Sequence, residues 1–374
     1  MKILIDDKIP YIRGAFESVA EVVYLPGAKT TPEIAKDADA IVTRTRTICN
    51  EILLSGSSVK FIATATIGYD HIDTDYCDKA GIQWTNAPGC NSKSVEQYIA
   101  STIMVLAEKN DWNLSEKCIA IIGVGNVGSK VARICEIFGM KVLLNDPPRQ
   151  RAEGSKQFVS IQQIMTEADI ITLHVPLNLK GEDMTFHLGN DVFFENLIKT
   201  PVIINSCRGE VTDSKAVKSV LKSGKISGFV CDCWENEPDL DLELLVLTEI
   251  ATPHIAGYSK DGKAIGTLMS VQAINKYFDL GLENWEPSGV ELPLNPEIQI
   301  DGYGLSEQKI ISKAIIHTYN IMNDDYNFRN NVADFEQLRG DYPTRREFTA
   351  FTIIAKNIEE KTLNKLKQLG FNIA

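Results

Sequence analysis

The stretch Ile119-Ala120-Ile121-Ile122-Gly123-Val124-Gly125-Asn126-Val127-Gly128 decides the fold. An apolar run of β character enters a G-x-G-x-x-G pattern, and Val131, Ala132, Cys135 and Phe138 then recur at helical spacing. That context gives each glycine a task. Gly123 permits a tight turn, Gly125 lets the backbone approach a pyrophosphate, and Gly128 lets the helix pack close to the strand. The phosphates would then meet the helix N-terminus. The next apolar run, residues 141–144, leads into Asn145-Asp146, and Asp146 lies 18 residues beyond Gly128. A carboxylate there receives ribose hydroxyls and repels a 2′-phosphate, so NAD is expected over NADP. Arg149 is the nearby cation that could instead take such a phosphate.

Outward from this motif the alternation continues. Residues 118–122, 141–144, 170–173, 202–205, 228–231 and 250–252 read as six strands of a doubly wound sheet. Upstream, residues 2–5, 21–24, 40–43, 61–63 and 83–85 read as a second parallel series, with helical spacing at 10–18 and 31–36. A long helix is expected over 94–110, its apolar face made by Val95, Ile99, Thr102, Ile103 and Leu106, and another over 263–280. Residues 281–296 hold two glycines and three prolines without periodicity, which reads as a linker. Beyond it, strands near 298–301 and 351–355 and helices near 306–322 and 358–369 form a small third α/β unit.

Composition narrows the classes. The 374 residues are 44% hydrophobic, enough for a sizeable core and more than one domain. A net charge of −12 argues against phosphate-driven nucleic-acid binding, although clustered arginines can still build a local anion site. No apolar run reaches a membrane-spanning length, and the N-terminus reads as a strand followed by carboxylates rather than a signal peptide. The eight cysteines are scattered without C-x-x-C spacing, which suggests free thiols in a reducing cytoplasm and no metal site.

The candidate chemistry sits on loops after the strands, where an open α/β sheet places it. Arg208, in Asn205-Ser206-Cys207-Arg208-Gly209, offers a planar fork for a carboxylate. Trp234-Glu235-Asn236-Glu237-Pro238 supplies acids, and Thr252-Pro253-His254 a histidine. A Glu–His pair would orient the ring and favour its charged form. Two alternatives stay open on spacing alone: His174, also at a strand end, could replace His254, and Glu235 could replace Glu237. His71 looks like a helix-start residue, and His187 and His317 show no partners.

Taken together, the glycine fingerprint, Asn205-Ser206-Cys207-Arg208-Gly209, Asp232-Cys233-Trp234-Glu235-Asn236-Glu237-Pro238 and Thr252-Pro253-His254-Ile255-Ala256-Gly257 resemble the D-isomer-specific 2-hydroxyacid dehydrogenase family. The resemblance implies Arg208 as the carboxylate-binding arginine, His254 as acid/base and Glu237 as its partner. It also implies cofactor contacts at Asn126, Val127, Val175, Asp232 and Gly257. A closer likeness, to a branch acting on a phosphorylated acid in pyridoxal 5′-phosphate synthesis, rests on five further stretches. These are Ala63-Thr64-Ala65-Thr66-Ile67-Gly68-Tyr69-Asp70-His71-Ile72-Asp73, Ala87-Pro88-Gly89-Cys90-Asn91, Asn145-Asp146-Pro147-Pro148-Arg149, His254-Ile255-Ala256-Gly257-Tyr258 and Asp341-Tyr342-Pro343-Thr344-Arg345-Arg346-Glu347-Phe348. This likeness implies substrate contacts at Thr45, Thr66 and Tyr258, and homodimerisation through the C-terminal unit. Ser92-Lys93 departs from the branch pattern by adding a charge.

The expected architecture is α/β, with a Rossmann-type NAD domain (94–254) inserted in a flavodoxin-like substrate domain (1–93 and 255–280). A linker (281–297) and a small C-terminal α/β dimerisation domain (298–374) follow. Hinges are expected near 91–94 and 254–257. The expected ligands are NAD and a small phosphorylated 2-hydroxy acid, with no nucleic acid, membrane or metal. If the strand at 40–43 continues, Arg44 and Arg46 share a face and could hold the phosphate. Arg345 and Arg346 are further candidates, reaching a partner subunit. Two rivals are 3-phosphoglycerate dehydrogenase and, from another class, an NAD-sensing corepressor.

Overall fold

The computed structural model describes residues 1–374. They form two compact units, Met1–Asn91 with Ser259–Glu291, and Ser92–Tyr258 with Leu292–Ala374.

The first unit is built on β1 (Lys2–Asp6), β2 (Glu21–Leu25), β3 (Ala40–Thr43), β4 (Phe61–Thr64) and β5 (Gln83–Thr85), all parallel in the order β2-β1-β3-β4-β5. This is the flavodoxin-like order. β3 and β4 are buried along their whole length, which is why they read as unbroken apolar runs. One face packs on Phe16, Val271 and Ile274, the other on Leu53, Leu54 and Cys77. The helix Lys260–Phe278 comes so close that a Cβ on Gly266 would stand 2.7 Å from the Ala65 carbonyl oxygen. Residues 10–18 are not a helix but a series of turns. Tyr11 and Gly14 take φ of 61° and 87°, which breaks helical propagation, while Ile9, Ile12, Ala15 and Phe16 still bury their side chains. The spacing there reported burial, not helix.

In the second unit β6 (Cys118–Ile122), β7 (Lys141–Asn145), β8 (Ile170–Leu173), β9 (Val202–Asn205), β10 (Gly228–Cys231) and β11 (Ile250–Ala251) form a parallel sheet in the order β11-β10-β9-β8-β6-β7. A single bridge from Leu144 to Phe158 marks one further position beyond β7. The winding reverses between β6 and β8, so the carboxyl end of β6 lies at the switch point where such sheets bind ligands.

The helix Ser92–Lys109 buries its polar side as well as its apolar one. Gln97 Nε2 donates to Thr318 Oγ1 and to the Arg346 carbonyl, and Ser101 Oγ donates to the Tyr319 carbonyl. The partner on that side is the C-terminal segment. Its strands β12 (Glu297–Asp301), β13 (Thr352–Lys356) and β14 (Asn372–Ile373) form a parallel three-stranded sheet. Ile298, Ile300, Ile311 and Ile353 share one core with Ile99, Ile103 and Ile134 of the NAD-type unit. The stretch 306–322 divides into two helices, Glu307–Thr318 and Ile321–Asn330, because Tyr319 is extended and the Asn320 side chain caps the second helix at Met322 N. Residues 281–291 pack with the first unit, where Glu291 accepts from Tyr11 and pairs with Lys260 at 2.9 Å; from 292 onward the chain belongs to the second.

Candidate active site

The dinucleotide loop is built by close approach. Gly123 has φ +87°, and a Cβ there would lie 2.6 Å from the His174 carbonyl oxygen and 2.8 Å from Val175 Cγ1. A Cβ on Gly128 would stand 2.0 Å from the Gly123 carbonyl oxygen, so the helix Gly128–Ile137 can start there only with glycine. Gly125 faces open space, and Gly125 and Asn126 are exposed, with Val127 half-buried. A pyrophosphate could therefore approach the backbone at this point. Asp146 sits where the fingerprint needs an acid. Its Oδ2 accepts from Val124 N at 2.8 Å and its Oδ1 caps the following helix at Arg149 N. Arg149 is tied to Glu153 at 2.7 Å and to the Val124 carbonyl, so it is already engaged by protein groups. These features fit NAD.

The catalytic candidates converge on the 234–254 segment. Glu237 accepts from Trp234 N through one oxygen, and its Oε2 lies 2.7 Å from His254 Nδ1. A carboxylate can only accept, so Nδ1 carries the proton and Nε2 is left as the base. Asn236 and His254 hold left-handed backbones at φ 62° and 56°, conformations non-glycine residues keep only when their surroundings enforce them. Arg208 is exposed after β9, its Nη1 donating to the Cys207 carbonyl. Behind it, a Cβ on Gly209 would fall 2.0 Å from the Trp234 carbonyl, which locks the arginine loop against the acid loop.

Asp232 is the support of the histidine loop. It is buried, and its oxygens accept from Thr252 Oγ1 at 2.7 Å, Ile255 N at 2.8 Å and Ala256 N at 2.9 Å. Burial pushes its carboxyl up, opposed by His254 and these donors. Trp234 Nε1 donates to the Thr252 carbonyl, and Arg345 Nη2 donates to the carbonyls of Ser94 and Ala256. Cys233 Sγ lies within 4.8 Å of the Glu237 and His254 ligand atoms. Burial holds that thiol well above its usual range, and the other two groups are already paired, so the cluster reads as a dyad with a neutral thiol neighbour.

The open alternatives separate cleanly. Glu235 accepts from Ser214 N at 2.8 Å and lies 2.7 Å from His187 Nε2, so it has its own histidine. His187 also has Asp213 at 3.7 Å. His174 Nε2 is within 3.0 Å of Thr172 Oγ1, and burial pushes its imidazole down to about 3. His71 is no helix start: Asp73 caps that helix, and His71 is buried with Nε2 3.1 Å from Thr64 Oγ1. His317 Nε2 meets the Asn295 carbonyl at 3.0 Å.

The phosphate candidates fare differently. β3 stops at Thr43, so the alternation that put Arg44 and Arg46 on one strand face does not extend to them. Arg44 Nη1 donates to the Lys8 carbonyl; Thr45 and Arg46 are exposed. Arg345 is buried beneath the histidine loop, 4.5 Å from the Tyr319 ring centre, and is a structural cation. Arg346 is half-buried, Thr66 Oγ1 donates to the Gly68 carbonyl, Tyr258 and Gly257 are half-buried, and Lys93 is exposed on its helix.

Residues 95–256 match the family described as D-isomer specific 2-hydroxyacid dehydrogenase, NAD binding domain, and residues 292–370 match a domain family of unknown function. The erythronate-4-phosphate dehydrogenase of Bacteroides thetaiotaomicron is 50% identical over 95% of this chain and 99% of its own. That of Escherichia coli O157:H7 is 37% identical over 100% and 98%. The chain belongs to the erythronate-4-phosphate dehydrogenase family. It is an NAD-dependent oxidoreductase of the D-isomer-specific 2-hydroxyacid dehydrogenase class. Among solved structures, a D-lactate dehydrogenase from Aquifex aeolicus complexed with NAD and lactic acid superposes with a TM-score of 0.59. It is 27% identical and covers 75% of this chain and 96% of its own. Sequence reasoning missed the bracing of this family member's histidine loop by Asp232 and Arg345, and the Gly209 contact. A glycine directly after the key arginine was the one available signal.

Proposed function

We propose that the protein oxidises the 2-hydroxyl of 4-phospho-D-erythronate to (R)-3-hydroxy-2-oxo-4-phosphooxybutanoate in pyridoxal 5′-phosphate synthesis, as a cytoplasmic homodimer joined through residues 298–374. The observation that carries the chemistry is the 2.7 Å Glu237–His254 pair, which leaves Nε2 as an available base. Arg208 grips the substrate carboxylate with its fork. His254 Nε2 takes the hydroxyl proton as the C2–H bond breaks, and Glu237 balances the imidazolium that forms. Bound NAD supplies the acceptor for the C2 hydride. Gly123, Gly125, Asn126, Val127 and Gly128 would hold its pyrophosphate, Asp146 its ribose, and Val175, Asp232 and Gly257 its nicotinamide end. Thr45, Thr66 and Tyr258 contact the substrate, and Arg44, Arg46 and Arg346 are the candidate cations that its phosphate could meet. The relatives' shared name supports the substrate, and the free state of all eight cysteines suits a reducing compartment.

Initial rates of NADH formation across 4-phospho-D-erythronate, D-erythronate, 3-phospho-D-glycerate and D-lactate test this reading. The phosphorylated four-carbon acid should give the highest kcat/KM. A preference for any of the others would overturn the substrate assignment, and no turnover of any would overturn the enzymatic one.

A further inference from the structure

One cation of the second unit serves neither the dinucleotide loop nor the carboxylate grip. Arg339 lies in the short helix Phe335–Gly340, within the segment matched by its own family and outside the hydroxyacid dehydrogenase match. Its guanidinium carbon is 5.9 Å from the centre of the Tyr258 ring and 5.6 Å from that of Phe335. Burial works against its charge, but Tyr258, Glu336 and Glu237 outweigh burial and hold the guanidinium above its usual range. So the charge stands where the catalytic carboxylate and the tyrosine of the histidine loop both sense it.

Its partners, the Tyr258 side chain among them, leave donors to spare. Nη1 pairs with Glu336 at 3.0 Å, three residues back on the same helix, and the glutamate side chain is 67% exposed. Such a pair contributes little. Nε is enclosed and meets no acceptor. Arg329, by contrast, spends its nitrogens on Asp325 and the carbonyls of Leu245 and Thr248, a structural clamp. Arg345 also has unpartnered nitrogens but is sealed from solvent, whereas 23% of the Arg339 side chain reaches the surface. A planar fork with part of its surface open to solvent suits the two-point grip that a phosphate oxygen pair accepts.

The substrate assigned above brings a carboxylate and a phosphate, and Arg208 can hold only one of them. We propose that Arg339 receives the distal phosphate, so that the C-terminal segment supplies the residue that sets specificity for a phosphorylated acid. This rests on the 4-phospho-D-erythronate reading.

The test is steady-state kinetics of wild type, Arg339→Ala, Arg339→Gln and Arg44→Ala on 4-phospho-D-erythronate and D-erythronate. Both Arg339 variants should raise KM for the phosphorylated acid roughly 10- to 100-fold, the worth of one charge-assisted contact, and shift kcat/KM for D-erythronate by less than about threefold. Arg339→Gln keeps the stem and the stacking, so it decides the matter if the alanine variant does not fold. Equal losses on the two acids, or phosphate selectivity that collapses in Arg44→Ala but not at Arg339, would overturn the proposal while wild-type preference stands. A wild type that does not prefer the phosphorylated acid would overturn the substrate reading itself, and this proposal with it.

Discussion

Two glutamate–histidine pairs stand two residues apart in the chain, and both close at 2.7 Å: Glu235 with His187, and Glu237 with His254. Distance does not distinguish them; their surroundings do. Glu235 spends its second oxygen on Ser214 N at the start of the helix Ser214–Ser223, and His187 has a second carboxylate in Asp213 and a stacked Phe186. That pair is a brace between loops. Glu237 spends its second oxygen on its own turn, and His254 rides a loop tied down by Asp232, Trp234 and Arg345. A left-handed Asn236 between the two acids sends them to different histidines. The proposal that Glu237–His254 is the catalytic pair rests on this contrast: its loop is held by other groups, and the far ring nitrogen is left for a substrate.

This contrast can be broken or sharpened by mutation. The largest effect should come from Arg208→Lys, which keeps the charge but removes the fork; kcat/KM should fall on the order of 10³-fold. A lysine enzyme with wild-type kcat/KM would mean that the carboxylate grip lies elsewhere. Glu237→Gln should lower kcat on the order of 10²-fold, because the imidazolium loses its counter-charge and Nδ1–H its strongest acceptor. Glu235→Gln should leave kcat/KM within about threefold of wild type and cost about 1 kcal/mol of stability, read by chemical denaturation, since only a brace is weakened. If the two glutamine variants lost activity equally, the division of labour between the pairs would be wrong.

The smallest effect concerns His174, the strand-end histidine that spacing alone did not exclude. Its folded pKa lies below that of the unfolded chain, so its stabilising contribution is present above about pH 6.5 and drains away as the pH falls toward 3. His174→Gln should therefore flatten the loss of stability between pH 7 and 5 by about 2 kcal/mol, with the smallest change in turnover of the set. An unchanged slope in melting temperature against pH would show that the ring does not resist protonation.

Much of this was legible because it is local. The glycine loop, Asp146 and the strands of both large sheets follow from short-range pattern, since a parallel strand buried on both faces is a continuous apolar run. What was not legible depends on chain segments far apart. Residues 10–18 bury Ile9, Ile12 and Phe16 at helical intervals without helix, because Tyr11 and Gly14 turn left-handed. The polar side of the helix Ser92–Lys109 gave no sign that residues 318–346 would cover it. The choice between Glu235 and Glu237 was beyond spacing, because it turns on the backbone of Asn236 and on where residues 187 and 254 fold back. Arg339 carried no signal at all until Tyr258 was placed beside it.

The central claim is that Glu237–His254, and not Glu235–His187, performs the proton transfer. The pH dependence of kcat/KM for wild type, Glu235→Gln and Glu237→Gln on 4-phospho-D-erythronate tests it most directly. Oxidation needs a neutral imidazole, and removing the adjacent negative charge disfavours its protonated form. The acid limb of Glu237→Gln should therefore move to lower pH, and that of Glu235→Gln should overlay wild type. An acid limb that moves in Glu235→Gln, or stays fixed in Glu237→Gln, would contradict the account.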